Sequence, residues 1–242
     1  MADPRRQALL VDLDGTLYRG DGPVRAYAEL VAAGLPGADG TEFLSTVDKF
    51  LGGGVAAVSE PELRAATDGW EAVATLAGAR FGVGPAALDE AFLGSRRALA
   101  TPECAIEVPP GLLSALAGLR ATTRLVLATN SPAVGLPELL TRLGAADVFD
   151  EVVSSTGKPA GLPALLAGLV ERIDAVGQPR RVFSVGDHWP NDIAPAREFG
   201  AATGYIDRFG RADGPADVVA ATMEGILPAI LGWASDLAGF AG

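Results

Sequence analysis

Apolar residues fall along this chain in two textures. Residues 8–11, Ala-Leu-Leu-Val, form a run too short for a helix that stops on the acidic turn Asp12-Leu13-Asp14-Gly15, as a buried parallel strand stops on a loop. Similar runs occur at 124–130 (RLVLATN), 181–187 (RVFSVGD) and 201–207 (AATGYID). Between them, residues 110–120, 136–144, 162–177 and 191–200 repeat their apolar positions at helical spacing, and glycine closes most of these stretches. Alternation of this kind predicts an α/β fold. It implies a parallel sheet with right-handed crossovers, helices on both faces, and ligands bound beyond the carboxyl ends of the strands.

From about residue 20 to 105 the pattern is helical throughout, in 24–35, 42–52, 62–82 and 87–100, with no strand signal between. Glycine and proline punctuate the chain on either side, at 19–23 (RGDGP) and 107–111 (EVPPG). The expected organisation is a discontinuous α/β core, residues 1–19 and 106–242, carrying an all-helical insertion over 20–105. An amphipathic stretch at 223–240 could pack on the core, form a dimer contact or touch a membrane surface; packing on the core is the expectation.

Composition narrows the class. The chain has 242 residues, 49% hydrophobic and 20% charged, which suits a folded domain rather than a disordered chain. Its net charge of −11, with 30 acidic against 19 basic residues and no basic run, argues against a nucleic-acid partner. It does not argue against an anionic small molecule, since a bound divalent cation reverses the local field. With one cysteine, Cys104, and one histidine, His188, there is no intrachain disulfide and no cysteine/histidine zinc cluster. Arg5 and Arg6 precede an apolar run too short for a signal peptide, and no stretch approaches the ~20 apolar residues of a membrane span. We therefore expect an unprocessed, soluble, cytoplasmic protein without membrane or nucleic-acid partners; monomer and homodimer both stay open.

Chemistry concentrates at the predicted strand ends. In VDLDGTLY, residues 11–18, Asp12 and Asp14 leave a strand two apart. A carboxylate is a competent nucleophile toward phosphorus once a cation offsets the phosphate's charge. In SVGDHWPNDI, residues 184–193, Asp187 and Asp192 bracket the next loop. Carboxylate oxygens at neighbouring strand ends suit a hard cation such as Mg²⁺. Asp192 has a second reading, as the cap of the helix that follows. Thr129 and Asn130 in ATNSP, and Lys158 in STGKP, add hydroxyl, amide and ammonium donors of the kind that hold phosphoryl oxygens.

Taken in order, Asp12/Asp14, Thr129, Lys158 and Asp187/Asp192 resemble the four motifs of the haloacid dehalogenase superfamily of hydrolases, over residues 8–20 and 106–207. The resemblance implies a Rossmann-like parallel sheet with a helical cap inserted after the first motif. It implies that Asp12 is the nucleophile and forms an aspartyl-phosphate, and that Asp14 protonates the leaving group and then activates water. Thr129, Asn130 and Lys158 would bind the phosphoryl group. Mg²⁺ would be held by Asp12, Asp187, Asp192 and the carbonyl of Asp14. Dehalogenating and phosphonate-cleaving members lack an aspartate at the position of Asp14, so its presence points to phosphate esters or phosphomutase work.

The expected activity is a Mg²⁺-dependent phosphoric monoester hydrolase acting on a small phosphorylated metabolite. The alternatives are a phosphomutase using the same aspartates and a non-catalytic phosphometabolite-binding protein. His188, next to Asp187, has two readings, as a proton shuttle and as a supporting or surface residue, and the second is the expectation. The family commonly has small residues there, so HWP at 188–190 is a departure that shapes the edge of the site or fixes a turn. In the helical insertion, Lys49, Gly52 to Gly54, Arg64, Trp70, Arg80, Arg96 and Arg97 are candidates for reading the leaving group. Cys104, at the return from the insertion, reads as structural.

Overall fold

A computed structural model describes residues 5–236 of the protein. The chain divides into two compact units, one of residues 1–19, 107–133 and 143–242, the other of residues 20–106 and 134–142. Residues 1–4 and 237–242, which include the end of the amphipathic tail, lie outside the described residues.

The first unit is built on a six-stranded sheet in the order β3-β2-β1-β4-β5-β6. The strands are β1 (Gln7–Val11), β2 (Thr123–Ala128), β3 (Glu151–Val153), β4 (Val182–Gly186), β5 (Ala202–Ile206) and β6 (Val218–Ala220), and all five pairings are parallel. Val11 lies beside Leu127 on one neighbour and Val185 on the other. The three central strands therefore end at one level and release Asp12, Thr129 and Asp187 along the same edge.

Side chains alternate across the sheet with the period of two that a strand imposes. Ala8, Leu10, Val126 and Val182 turn to one face, where they share a buried cluster with Leu162, Leu166 and Leu169 of the helix Leu162–Arg172. Each leucine or valine of this cluster contributes about 1.5–3 kcal/mol on burial, which holds the helix to this face. Elsewhere on the sheet, Phe183 meets the ring of Trp233 edge-on at 5.4 Å. Trp233 belongs to the C-terminal helix Met223–Ser235, whose Met223, Ile226 and Ile230 are also buried. The amphipathic stretch thus packs on the sheet unit as far as Ser235.

Four of the six strands are those read from the sequence. The other two, β3 and β6, are three-residue edge strands, too short to leave a periodic signal.

The second unit is helical. It comprises α1 (Gly22–Ala32), α2 (Gly37–Gly53), α3 (Gly69–Phe81), α4 (Pro85–Leu99) and a fifth helix, Leu136–Arg142, with two short 3₁₀ turns at Gly54–Ala57 and Pro61–Ala65. The stretch 62–82, read as one helix, is broken because Asp68 caps α3: its carboxylate accepts from the amide of Glu71 at 2.8 Å, while the Glu71 carboxylate accepts from the amide of Thr67 at 2.8 Å. The core holds Tyr27, Phe43, Val47, Phe50, Val73 and Leu76.

Helix Leu136–Arg142, which the pattern assigned to the sheet unit, groups with the helical unit. Arg142 donates to the carbonyls of Leu99 at 2.8 Å and Cys104 at 2.6 Å. Gly135 comes so close to the Arg96 carbonyl that a Cβ would stand 2.6 Å from it. Sequence periodicity records that a helix forms, not which partner it chooses.

Candidate active site

The turn after β1 sets the first two carboxylates. Asp12 is nearly buried and its amide donates to the Val185 carbonyl at 3.0 Å, continuing the β1–β4 ladder by one residue. Gly15 then takes φ +79°, and a Cβ there would stand 2.0 Å from Oδ2 of Asp187. Both the conformation and the close approach require glycine. The amides of Thr16 and Leu17 close the turn on the Leu13 carbonyl, at 3.4 and 3.0 Å.

Beyond β2 and β3, the amide of Thr129 bonds the Val153 carbonyl, Ser155 bonds Ser131, and Thr156 bonds Thr129, at 2.9, 2.9 and 3.0 Å. These bonds carry the parallel pairing past the strands and bring the Lys158 loop alongside. Asn130 fastens it: Oδ1 accepts from the Lys158 amide at 2.7 Å and the Thr156 hydroxyl at 2.9 Å, and Nδ2 donates to the Lys158 carbonyl at 2.9 Å. The carboxamide expected to meet a phosphoryl group is thus engaged with the backbone of Lys158. Thr129 is buried, and its hydroxyl oxygen accepts from the Ser131 amide at 3.0 Å, which leaves its proton to donate.

Lys158 uses all three ammonium protons within the unit: toward Asp12 Oδ1 at 2.8 Å, Asp192 Oδ1 at 2.6 Å and the Ala128 carbonyl at 2.9 Å. Its side chain is 3% exposed. Burial works against its charge, but Asp12 and Asp192 outweigh that and hold the ammonium above its ordinary value. Burial also pushes Asp12 up, to about 7; Lys158 opposes the rise, and the charges of Asp192 and Asp14 add to it.

Asp192 is 3% exposed and lies in a single wide turn, Trp189–Ile193. Its carboxylate accepts from Lys158 and, at 3.3 Å, from the His188 amide, so it faces the cluster. Gly186 makes room, since a Cβ there would lie 2.4 Å from the Asp192 carboxyl.

Among the described residues, Asp12, Asp187 and Asp192 bring carboxylate oxygens within 4.8 Å of one another. Three carboxylates with one lysine, which meets two of them, leave a surplus of negative charge, the donor chemistry that fits a divalent cation of the magnesium type.

Two residues that the sequence reading passed over complete the arrangement. The phenol of Tyr18 donates to Oδ1 of Asp14, and the hydroxyl of Ser131 donates to Oδ2 at 2.9 Å. Both lie inside the quoted motifs, in VDLDGTLY and ATNSP, but nothing in spacing says that a turn will fold Tyr18 back over Asp14. Trp189 donates from its indole to the Pro215 carbonyl at 3.2 Å and lies against Gly214, where a Cβ would stand 2.2 Å from the ring. It fastens the turn after β4 to the loop before β6.

The candidates in the helical unit have other engagements or lie in solvent. Arg96 is buried over the rings of Trp70 at 4.2 Å and Phe92 at 5.1 Å, a cation–π stack within that unit's core. Arg80 pairs with Glu42 and Glu60. Lys49, Arg64, Arg97 and Gly52 are exposed, and Gly54 ends α2 with φ +63°. Cys104 is buried, and burial raises its thiol.

Among the described residues no helix is long and apolar enough to cross a membrane. No curated protein matches the chain in sequence. Among solved structures, a predicted phosphoglycolate phosphatase from Haemophilus somnus 129pt is similar with TM-score 0.63 and 20% identity, over 93% of this chain and 97% of its own. A putative HAD-hydrolase from Bacillus subtilis, YfnB, bound to magnesium, is similar with TM-score 0.60 and 15% identity, over 93% and 99%. A 2-haloacid dehalogenase from Pseudomonas syringae pv. Tomato DC3000 is similar with TM-score 0.53 and 22% identity, over 93% and 98%. At these identities the likeness carries the fold, which phosphatase and dehalogenase share. The model of one family, haloacid dehalogenase-like hydrolase, matches residues 7–200, most of the chain and every carboxylate of the cluster. The chain belongs to the haloacid dehalogenase-like hydrolases.

Proposed function

We propose that this hydrolase is a magnesium-dependent phosphoric monoester hydrolase acting on a small phosphorylated metabolite. The observation that carries the reading is Asp14: a second carboxyl, two residues beyond Asp12, held by two hydroxyl donors beside the Asp12–Lys158 pair. Displacement of a halide needs no acid for its leaving group, whereas an alkoxide leaving phosphorus does. A phosphatase therefore has work for Asp14 that a dehalogenase lacks.

In this mechanism a carboxylate oxygen of Asp12 attacks phosphorus, the ester P–O bond breaks, and Asp14 gives its proton to the departing oxygen. Asp14 then takes a proton from water, whose oxygen attacks phosphorus and releases phosphate and the Asp12 carboxylate. Lys158 holds Asp12 oriented and offsets its charge, and Thr129 donates to the phosphoryl group. Asn130 serves by fixing the Lys158 loop. Mg²⁺ held by Asp12, Asp187, Asp192 and the Asp14 carbonyl would supply the positive charge that lets an anionic ester approach these carboxylates.

Phosphate release should be measured from a broad panel of phosphorylated metabolites, with Mg²⁺, with EDTA and with Asp12→Asn, and halide release from 2-chloropropionate measured beside it. The expected result is phosphate from one or a few esters, lost with EDTA and in the variant. Halide release with no phosphate release would overturn the reading.

A further inference from the structure

We propose that Tyr18 is a positioning residue for proton transfer, acting through Asp14 together with Ser131. The proposal rests on the phosphatase reading above. Asp14 stands on the turn after β1, and the terminal torsion of an aspartate is broad and two-fold, so the plane of its carboxyl group depends on what its oxygens meet. Two donors reach it from different elements. Tyr18 comes from the β1 turn, which closes on Leu13 and brings residues 14 and 18 into a backbone bridge. Ser131 comes from the loop after β2. One hydroxyl meets each carboxyl oxygen, so the plane is set by two contacts on opposite sides.

A carboxyl oxygen has two lone pairs, so one hydroxyl donor does not of itself bar exchange of a proton with the leaving group or with water. Tyr18 is 2% exposed and Ser131 6%. Asp14 itself is half-buried, but neither donor can turn to a solvent partner instead, so the orientation is ready before substrate arrives. Such preorganisation matters because small misplacement of a reacting group costs rate steeply. A buried phenol needs an acceptor in any protein. The alternative is therefore that Asp14 merely satisfies Tyr18, and the two directions of dependence can be separated.

The experiment compares Tyr18→Phe with wild type on two esters: p-nitrophenyl phosphate, whose phenolate leaves without a proton, and the alkyl phosphate that wild type hydrolyses fastest. The readout is kcat/KM, which reports transfer to Asp12 and not the later water step. If Tyr18 acts through the acid, the loss is about tenfold or more larger on the alkyl ester. The double variant Asp14→Asn/Tyr18→Phe then loses no more than Asp14→Asn alone. Equal losses on the two esters, or additive losses in the double variant, would overturn the proposal. Ser131→Ala is the second variant should Tyr18→Phe not fold, and must show the same dependence on leaving group. A wild type that releases no phosphate from any ester sinks the phosphatase reading and this role with it. An active wild type with substrate-independent losses sinks the role of Tyr18 alone.

Discussion

At the carboxyl end of β1, Asp12 faces Lys158 and shares it with Asp192. At the amino end of the same sheet, Asp150 faces Arg5 at 2.7 Å and Arg120 at 3.4 Å, and accepts from the amide of Leu125 at 2.8 Å. Both are aspartates paired with basic side chains, yet they titrate in opposite directions. Burial and two neighbouring carboxylates lift Asp12 to about 7 against the pull of Lys158. Burial also works to lift Asp150, but the Leu125 amide and Arg5 outweigh it and hold that carboxyl below its ordinary value. The difference lies in the count of charges. Asp150 meets two guanidinium groups, whereas Asp12 and Asp192 share one ammonium and Asp187 adds a third carboxylate beside them. A cluster short of positive charge has the donor chemistry that fits a cation; a carboxylate matched by guanidinium groups does not.

Lys158→Met attacks that difference at its centre and carries the largest expected effect. Two nearly buried carboxylates would lose their shared partner, and breaking a buried pair costs about 3–5 kcal/mol. The rate of phosphate release should fall about 10²–10³-fold, as when a preorganised charge donor is removed. Urea unfolding and turnover measured together check both. A variant as stable as wild type would show that the cluster is not an energetic unit.

Asp150→Ala tests the other end. It leaves the Leu125 amide unpaired and removes a charge-assisted contact, a cost of about 1.5–3 kcal/mol in stability. The kcat/KM should stay at the wild-type value, since the cluster lies at the end of the sheet away from Asp12. The pH dependence has a definite sign. A carboxyl held below its unfolded value of 3.8 stabilises the fold above that value, and this contribution is lost as pH falls through the lower folded value. The stability gap between wild type and Asp150→Ala should therefore be full at pH 7 and close in acid.

Asn130→Ala sharpens the contrast from the side of the lysine. The loop would lose two hydrogen bonds to the Lys158 backbone and one from the Thr156 hydroxyl while the ammonium kept its acceptors. We expect a loss of about tenfold in kcat, near 1.4 kcal/mol, with KM little changed. A rise in KM at constant kcat would mean that Asn130 binds the phosphoryl group directly.

The sequence was most legible where chemistry and periodicity coincide. Asp12, Asp14, Lys158 and Asp192 follow short apolar runs or sit at fixed points in loops, so their residue types announced a cluster before any geometry was known. Asn130 was legible as a polar group at a strand end, but not its engagement with Lys158, because that depends on how a loop 28 residues away returns. Tyr18 was hidden by its ordinary look as an apolar residue near a strand, and Ser131 by its proline neighbour. β3 and β6 were too short for periodicity, and helix Leu136–Arg142 had a pattern that fits either unit. What escapes the sequence in each case is a tertiary choice between partners that local pattern leaves equal.

The smallest effect belongs to Arg6, which pairs with Asp174 near the amino end of the sheet. Its side chain is 56% exposed and that of Asp174 73%, against 16% and 13% for Arg5 and Asp150. Water competes for both partners, and side-chain freedom is lost in holding them together, so Arg6→Ala should cost about 0.5 kcal/mol or less. What remains should vanish in 1 M salt, where the screening length falls to about 3 Å. Arg5→Ala, by contrast, should keep most of its cost in salt, because its carboxylate partner is largely shielded from water and also bound to a backbone amide. Urea midpoints for the two variants at low and high salt check this. Equal salt sensitivity would mean that pairing alone, and not exclusion of water, separates the clusters of this sheet.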